Sequence, residues 1–355
     1  CVSASCSDLM ERKILCEKKT RQAGAGRTPS GFQVNQQDCL IIGLDVESGS
    51  LTGVVSDFSS HIQQKEYQVL SDQNPNNVIG QMQTMTRSLL EKTPPNAVKG
   101  IAISSPSHIG ASGKGSVWGH LFGTFDSENL RHIFEDEFGV TVLLERDPNC
   151  MAMAEHLLGS AQDVENFLYI RLSLGIDMAI ISHGQLYKGR HNAAGEIGHM
   201  KMNPRGERCH CGNYGCLETF SSTESILRRC TEAAYAGKAP YLRHQLDIGR
   251  QLTLETVAAA ARNGDTVVKN VFARAAHYAG IAIANAINLI DPQAVVLGGE
   301  LAGYPDIFLA RLQNTVKSLV WCEKIDLRTA QLGNDAAAIG AASLLILPIF
   351  NQHTK

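Results

Sequence analysis

Three cysteines and one histidine form the most specific pattern in the sequence. Cys209, Cys211 and Cys216 fall within eight residues, and His199 lies ten residues before Cys209. Three thiolates and one imidazole complete the tetrahedral shell that zinc prefers. Two glycines between the last two cysteines allow the tight turns that bring such closely spaced sulfurs onto one ion. Because protein groups fill all four positions and leave none for water, we expect one structural zinc ion per chain.

Two other interpretations of this segment stay open. The three cysteines could pack as small buried hydrophobic residues without a metal. His210 competes with His199 as the nitrogen ligand, but both of its neighbours in the sequence are expected ligands themselves. We therefore expect the His210 ring to point away from the cluster.

Alternating strand and helix patterns surround this segment. Apolar runs predict strands, and a period of about 3.6 residues predicts helices. The predicted strands are CLIIGLDV from Cys39, LTGVVSDF, IQQKEYQVL, VKGIAISSP, VTVLLERD, the pair FLYIRLSLG and MAIISHGQLY, and AVVLGGEL. The predicted helices cover residues 3–17, 77–92, 127–138, 222–236 and 253–290, with an Ala-rich closing helix from Asn334. This alternation is typical of an α/β layered fold, and we expect two lobes with a cleft between them.

The composition is that of an ordinary globular protein. The chain of 355 residues is long enough for two cores, and its net charge of −3 gives no global attraction to nucleic acid or membrane. No apolar run reaches the length of about 18 residues that a transmembrane helix needs, so we expect no membrane insertion. Of the ten cysteines, the seven outside the cluster are scattered along the chain. That distribution favours a reducing cytoplasm over a secreted disulfide scaffold.

The segment GEIGHMKMNPRGERCHCGNYGCLE resembles the signature of the ROK family (repressor, open reading frame, kinase). The family includes bacterial glucokinases and other sugar kinases, together with repressors that respond to glucose, N-acetylglucosamine derivatives or xylose. The resemblance runs from about Cys39 to Leu345 and implies an actin-like, RNase H-like two-lobe fold. It also implies that the cysteines bind zinc together with the histidine of G-x-x-G-H, which is His199 in this chain.

The resemblance further implies four sugar-binding side chains, which are Asp147, Glu196, His199 and Glu218. A carboxylate suits this work because it accepts hydrogen bonds from neighbouring hydroxyls. Zinc would orient His199 and the loop that leads to Glu218. Asp147 has a second interpretation as a helix N-cap, since Pro148 follows it at the favoured first helical position.

Three positions depart from the kinase pattern or match it weakly. Arg146 stands where the kinases of the family have Asn before the aspartate. Its longer cationic side chain would fill the pocket or select an anionic, phosphorylated sugar. His120 and Phe122 lie where the kinases carry a sugar-binding loop, but the match is too weak to give them roles.

Both phosphate-binding loops of the family's kinases are altered in this chain. The kinases have D-x-G-G-T after the first strand, whereas residues 45–50 read DVESGS and place Glu47 where phosphate approaches. The second loop, G-T-G-x-G-x-G, reads SLGIDMA at residues 173–179 and adds Asp177. Glycines are needed there because backbone N–H groups must approach the phosphates closely. We therefore expect no enzyme activity. The alternative is an ATP-dependent sugar kinase that resembles glucokinase. It is supported by the pair Gly298–Gly299, because the corresponding glycines of the kinases lie near the nucleotide.

The N-terminus resembles the back half of the winged helix-turn-helix that precedes the body in ROK repressors and that the kinases lack. Residues 1–15, CVSASCSDLMERKIL, match the recognition helix, in which Ser3 and Ser5 would contact bases and phosphates. The stretch GAGRTPSGFQV matches the wing, from which Arg27 would enter the minor groove. A solvated basic loop is the other interpretation of this stretch. The chain begins with Cys1, and the two helices that precede a recognition helix are not in this sequence, so we expect upstream residues to be missing.

The predicted organisation is a partial winged helix-turn-helix at residues 1–36, an α/β lobe at 37–155 with 336–355 packing back onto it, and a zinc-containing α/β lobe at 156–335. The predicted function is a cytoplasmic, sugar-responsive repressor that binds operator DNA and a sugar or sugar phosphate as a homodimer or tetramer. A sugar-transport protein is an alternative partner of the body, as for some repressors of the family.

Overall fold

The computed structural model describes residues 2–11, 14–18, 31–47, 49–72, 74–105, 107–109, 115–117 and 125–351. The chain divides into two compact units. The first unit comprises Cys1–Leu157 with Asn334–Lys355, and the second unit comprises Leu158–Gly333. Within the described ranges no helix is long and apolar enough to cross a membrane.

The first unit begins with a short helix and a two-stranded hairpin. Helix α1 covers Val2–Glu11, and the antiparallel strands are β1 (Leu15–Lys18) and β2 (Gly31–Val34). The expected helix over residues 3–17 is therefore wrong beyond Glu11. Ile14 is buried and donates its N–H to the Leu9 carbonyl, after which the backbone groups of residues 15–18 pair with β2 instead of forming another helical turn. The winged helix-turn-helix at residues 1–36 stays a prediction.

A five-stranded mixed sheet forms the centre of the first unit. Its strands are β3 (Leu40–Val46), β4 (Ser50–Asp57), β5 (Ile62–Val69), β6 (Val98–Ser105) and β10 (Thr141–Arg146), in the order β10-β6-β3-β4-β5. Strands β3, β4 and β5 are antiparallel neighbours, whereas β6 and β10 continue the sheet in parallel. The five predicted strands of this half are confirmed. A small antiparallel sheet that the sequence did not predict comprises β7 (Ser107–Ile109), β8 (Gly115–Val117) and β9 (Phe125–Asp126).

The helices of the first unit include α2 (Pro75–Glu91), α3 (Ser127–Phe138), α4 (Asp147–Leu158) and the closing helix α11 (Ala336–Asn351). Helix α11 packs on β3 and β6. A Cβ at Gly43 of β3 would lie 2.0 Å from the Ala338 carbonyl oxygen, so this close approach requires glycine. The closing helix therefore belongs to the core of the first unit.

The second unit has its own five-stranded sheet and most of the helices. Its strands are β11 (Phe167–Leu172), β12 (Ile176–Ser182), β13 (Gln185–Leu186), β14 (Ala294–Gly298) and β15 (Asp326–Thr329), in the order β13-β12-β11-β14-β15. The predicted pair β11–β12 is confirmed as an antiparallel hairpin, and β14 runs parallel to β11. The helices are α5 (Glu218–Ser221), α6 (Thr223–Tyr235), α7 (Pro240–Asp247), α8 (Leu254–Arg262), α9 (Thr266–Ile290) and α10 (Ala310–Leu319).

The helical stretch expected over residues 253–290 is two helices, so the expectation of one element was wrong. Helix α8 ends before Gly264, which has a φ of 102°, a conformation that favours glycine. Asp265 then caps α9, because its carboxylate accepts hydrogen bonds from the N–H groups of Val267 and Val268.

Candidate metal and effector site

The cysteine cluster lies in a compact turn of the second unit, named here the knuckle (residues 199–218). Backbone hydrogen bonds tie its two arms together, from Cys209 N–H to the Asn213 carbonyl at 2.7 Å and from Met202 N–H to the Gly215 carbonyl at 2.8 Å. Gly215 has a φ of 64°, and a Cβ there would lie 1.6 Å from the Asn203 carbonyl oxygen. The glycine is therefore required for the turn that carries Cys216 inward.

The four predicted zinc ligands converge. Ligand atoms of His199, Cys209, Cys211 and Cys216 all lie within 4.8 Å of one another. The Sγ atoms of Cys211 and Cys216 are 3.7 Å apart, and Cys209 Sγ is 3.7 Å from His199 Nδ1. Zinc–sulfur bonds of about 2.3 Å in a tetrahedron place two sulfurs about 3.8 Å apart. The observed spacing and the thiolate-rich donor set therefore fit a zinc ion.

A second group of possible ligands shares two members with the first. It comprises His199, Cys209, His210 and Glu218, also within 4.8 Å of one another. His210 Nδ1 lies 3.8 Å from Cys209 Sγ and 3.5 Å from Glu218 Oε2, and its ring meets the His199 ring edge-on at 5.3 Å. The expectation that the His210 ring points away from the cluster was wrong, because its Nδ1 atom faces Cys209 and Glu218 on the cluster side.

Glu196 is held beside the knuckle by the backbone of β12. Gly195 has a φ of 93°, and a Cβ there would lie 1.8 Å from the Met178 carbonyl oxygen. The N–H of Met178 donates to the Gly195 carbonyl at 2.9 Å. Glu196 follows directly and its Oε2 lies 3.9 Å from His199 Nε2, while the Nδ1 atom of the same ring faces Cys209. His199 thus presents one nitrogen to the cysteine cluster and the other to Glu196.

Glu218 connects the knuckle to the β11–β12 turn. Its Oε1 accepts a hydrogen bond of 2.9 Å from Ile176 N–H, and its Oε2 lies 3.7 Å from His199 Nδ1. Burial raises the pKa of Glu218 to about 8; the hydrogen bond from Ile176 opposes this rise, and the charges of Asp177 and Glu196 add to it. A polar cavity of about 310 Å³ adjoins Glu218 and is also lined by His210, Ser222 and Arg228. Three of the four predicted sugar-binding residues are therefore neighbours within the second unit.

Comparison with known proteins identifies the chain. The sequence profile of the ROK family matches residues 41–347. The chain belongs to the ROK family. The family membership predicted from the zinc segment is therefore confirmed.

Among ROK proteins, the chain is similar to transcriptional regulators. It is 28% identical to the DNA-binding transcriptional dual regulator NagC of Escherichia coli K12, over 87% of this chain and 75% of NagC. It is 25% identical to the xylose repressor of Bacillus subtilis 168, over 97% of this chain and 87% of that protein. These relatives support the repressor branch of the family.

Solved structures of ROK proteins share the fold. A ROK transcriptional regulator described as a homologue of E. coli MLC superposes with a TM-score of 0.81 at 24% identity, covering 98% of this chain and 88% of that one. A ROK glucokinase from Streptomyces griseus, in complex with glucose and AMPPNP, gives 0.74 at 25% identity, covering 86% and 98%. The expected α/β actin-like fold is therefore confirmed.

The β11–β12 turn of this ROK chain packs against the side chains of Glu218 and Asp177. A Cβ at Gly175 would lie 3.2 Å from Glu218 Oε1 and 3.5 Å from Asp177 Oδ2. The N–H of Ser173 donates to the Gly175 carbonyl, and Thr223 N–H donates to the Ser173 carbonyl. The turn is thus held in place beside two acidic side chains.

Asp147, the fourth predicted sugar-binding residue, belongs to the first unit of the ROK chain. It is buried and is the first residue of α4, directly after β10, and its interpretation as a helix N-cap stays a prediction. The preceding Arg146 is also buried, and its N–H donates to Glu145 Oε1, which accepts from Asn149 Nδ2 as well, both at 2.9 Å. This network holds the β10–α4 junction in a defined conformation.

The predicted DNA-binding residues are only partly covered by the structure. Ser3 and Ser5 lie in α1. Arg27 lies outside the described residues, and so do His120 and Phe122, the weak matches to the sugar-binding loop of the kinases.

One contact of the cysteine cluster was missed in the sequence analysis: Lys201 Nζ donates to Cys216 Sγ at 2.9 Å. No sequence signal could have found it, because a lysine in a polar stretch has no pattern of its own.

Proposed function

We propose that this ROK protein is a cytoplasmic, sugar-responsive transcriptional repressor. The observation that carries the proposal is the similarity to NagC, named as a DNA-binding regulator, and to the xylose repressor over 97% of this chain. The regulator structure also covers 98% of this chain, against 86% for the glucokinase. A function shared with the regulators is favoured over one shared with the kinases.

The proposed effector is a sugar or sugar phosphate that Glu196, His199 and Glu218 of the second unit bind through its hydroxyls. The sugar-binding role of Asp147 stays a prediction from the sequence. The carboxylates accept hydrogen bonds from hydroxyl groups, and a neutral His199 ring can donate or accept through Nε2. Zinc bound by His199, Cys209, Cys211 and Cys216 would act structurally and fix this ring through Nδ1. The proximity of Nε2 to Glu196 supports a shared ligand for these two groups.

Acidic residues in the two altered loops argue against ATP-dependent phosphoryl transfer by this chain. Phosphoryl transfer depends on positive or N–H-donating groups around the phosphates. In this chain Glu47 and Asp177 occupy the two altered loops, and Glu218 lies against Gly175 of the second loop. The carboxylates of Glu47 and Asp177 would repel the phosphates of a nucleotide.

The proposed DNA reader comprises helix α1, with Ser3 and Ser5, and the hairpin β1–β2, whose connecting segment contains Arg27. Two such readers in a homodimer or tetramer would bind two half-sites of an operator. Sugar binding would then weaken DNA binding only to the extent that the sugar prefers the DNA-free conformation.

A thermal-shift screen against neutral sugars, their 6-phosphates, and ATP with magnesium tests the effector site. We expect one sugar class to raise the melting temperature and ATP to leave it unchanged. The same sugar should release labelled operator DNA from the protein. A melting shift with ATP, followed by sugar phosphorylation, would overturn the proposal in favour of a sugar kinase.

A further inference from the structure

A lysine ammonium group contacts one thiolate of the predicted zinc site. Lys201 Nζ lies 2.9 Å from Cys216 Sγ, a distance that permits a direct N–H···S hydrogen bond. The two residues are also antiparallel bridge partners. Flanking backbone hydrogen bonds, from Leu217 N–H to the Met200 carbonyl and from Met202 N–H to the Gly215 carbonyl, hold both strands of the bridge. The backbone therefore places the lysine beside this sulfur, and only its side chain needs to be ordered.

The charge of the Lys201 ammonium group would balance the charge of a zinc-loaded cluster. A zinc ion with three thiolates and a neutral imidazole carries a net charge of −1, and one ammonium group brings the cluster to neutrality. Cys216 is fully buried, so water does not solvate its sulfur. A charge-assisted hydrogen bond to a buried thiolate is stronger than a contact between two exposed ions. The ammonium group thereby compensates for the missing hydration of the Cys216 sulfur.

We propose that Lys201 is a positioning residue of the metal site, whose ammonium group stabilises zinc-bound Cys216 and raises the affinity of the knuckle for zinc. This inference rests on the proposed zinc site and adds a residue that is not a ligand. The competing interpretation is an ordinary surface lysine, because the Lys201 side chain is exposed and salt screens exposed charges. The two interpretations differ in their consequences for metal affinity.

Zinc affinity provides the test, measured by competition with a chromophoric chelator. The variants are Lys201→Met, Lys201→Arg and, as a matched control, Lys238→Met, which removes another exposed lysine of the second unit. Partners that hydrogen-bond to metal ligands change metal affinity by about 10- to 100-fold when removed. We expect Lys201→Met to weaken zinc binding about 10-fold, Lys201→Arg to restore most of it, and Lys238→Met to match the unaltered protein. High salt should reduce the difference.

A spectroscopic measurement separates an electronic effect from a structural one. With Co²⁺ in place of Zn²⁺, loss of the hydrogen bond should shift the thiolate-to-cobalt charge-transfer band in Lys201→Met but not in Lys238→Met. Equal zinc affinity and an unshifted cobalt band in Lys201→Met would overturn the role of Lys201 while leaving the zinc site intact. If the unaltered protein binds neither metal, the zinc proposal fails first and the inference fails with it.

Discussion

The choice between the two overlapping ligand groups can be decided with two conservative variants. Cys211 belongs only to the thiolate-rich group and His210 only to the group with Glu218. Cys211 is exposed, so Cys211→Ser removes a thiolate with little loss of buried apolar area. His210 is also largely exposed, which makes His210→Ala a matched control. A difference in stability between these variants that appears only with zinc present therefore reports the metal.

The expected magnitude follows from linkage. A ligand that binds only the folded state at a free concentration 1,000 times its Kd stabilises that state by about 4 kcal/mol. Removing one of four ligands should abolish most of this stabilisation. Urea unfolding can be followed by circular dichroism, once in zinc-buffered solution and once in chelator. With zinc present, the free energy of unfolding of Cys211→Ser should be about 4 kcal/mol lower than that of the unaltered protein. In chelator the variant and the unaltered protein should unfold at similar urea concentrations, and His210→Ala should keep its response to zinc.

The opposite pattern would refute this reasoning. If His210→Ala loses its zinc-dependent stabilisation while Cys211→Ser keeps it, the metal is held by the group that contains Glu218. The Cys211–Cys216 spacing of 3.7 Å would then be a packing contact between thiols. If neither variant changes the response to zinc, neither group holds a structural metal.

Three further predictions concern the sugar and DNA sites. Gly195→Ala should lower the free energy of unfolding in urea by more than about 2 kcal/mol, because the new Cβ would meet the Met178 carbonyl. Gly249→Ala is the control: Gly249 has a φ of 77° but open space around it, so this variant should lose only about 1 kcal/mol. Glu196→Gln should abolish the sugar-induced melting shift without changing zinc content; an unchanged sugar response would remove Glu196 from the effector site. Arg27→Ala should weaken operator binding in an anisotropy titration, and unaltered affinity would argue against the wing.

Much of the fold was predictable because its strands and helices have clear periodicity. The strands β3, β6 and β11 are rich in apolar residues and almost entirely buried, as is typical of strands covered on both faces. Residues 3–17 and 253–290 were harder because their apolar spacing is compatible with one long helix. Their breaks depend on the pairing of residues 15–18 with β2 and on the positive φ of Gly264, which apolar periodicity does not encode.

The knuckle was predictable from cysteine spacing, but the contacts around it were not. Glu218 lies nineteen positions after His199 in the sequence, yet its carboxylate approaches His199, His210 and the Ile176 N–H. These contacts depend on how the knuckle folds over the β11–β12 turn. Local sequence gives no measure of that packing, which is why the His210 orientation was predicted incorrectly and Lys201 was missed.

Zinc binding and sugar binding should be coupled in this protein, because His199 serves both groups. With zinc on Nδ1 the ring would hold one orientation and present Nε2 toward Glu196. Without zinc the ring can rotate, and ordering a side chain on ligand binding costs about 0.5–1.5 kcal/mol. We therefore expect chelation to weaken sugar binding by about 2- to 10-fold and zinc to restore it, measured calorimetrically under conditions in which circular dichroism shows an intact fold. Sugar affinity that is independent of zinc would mean that packing alone orients His199.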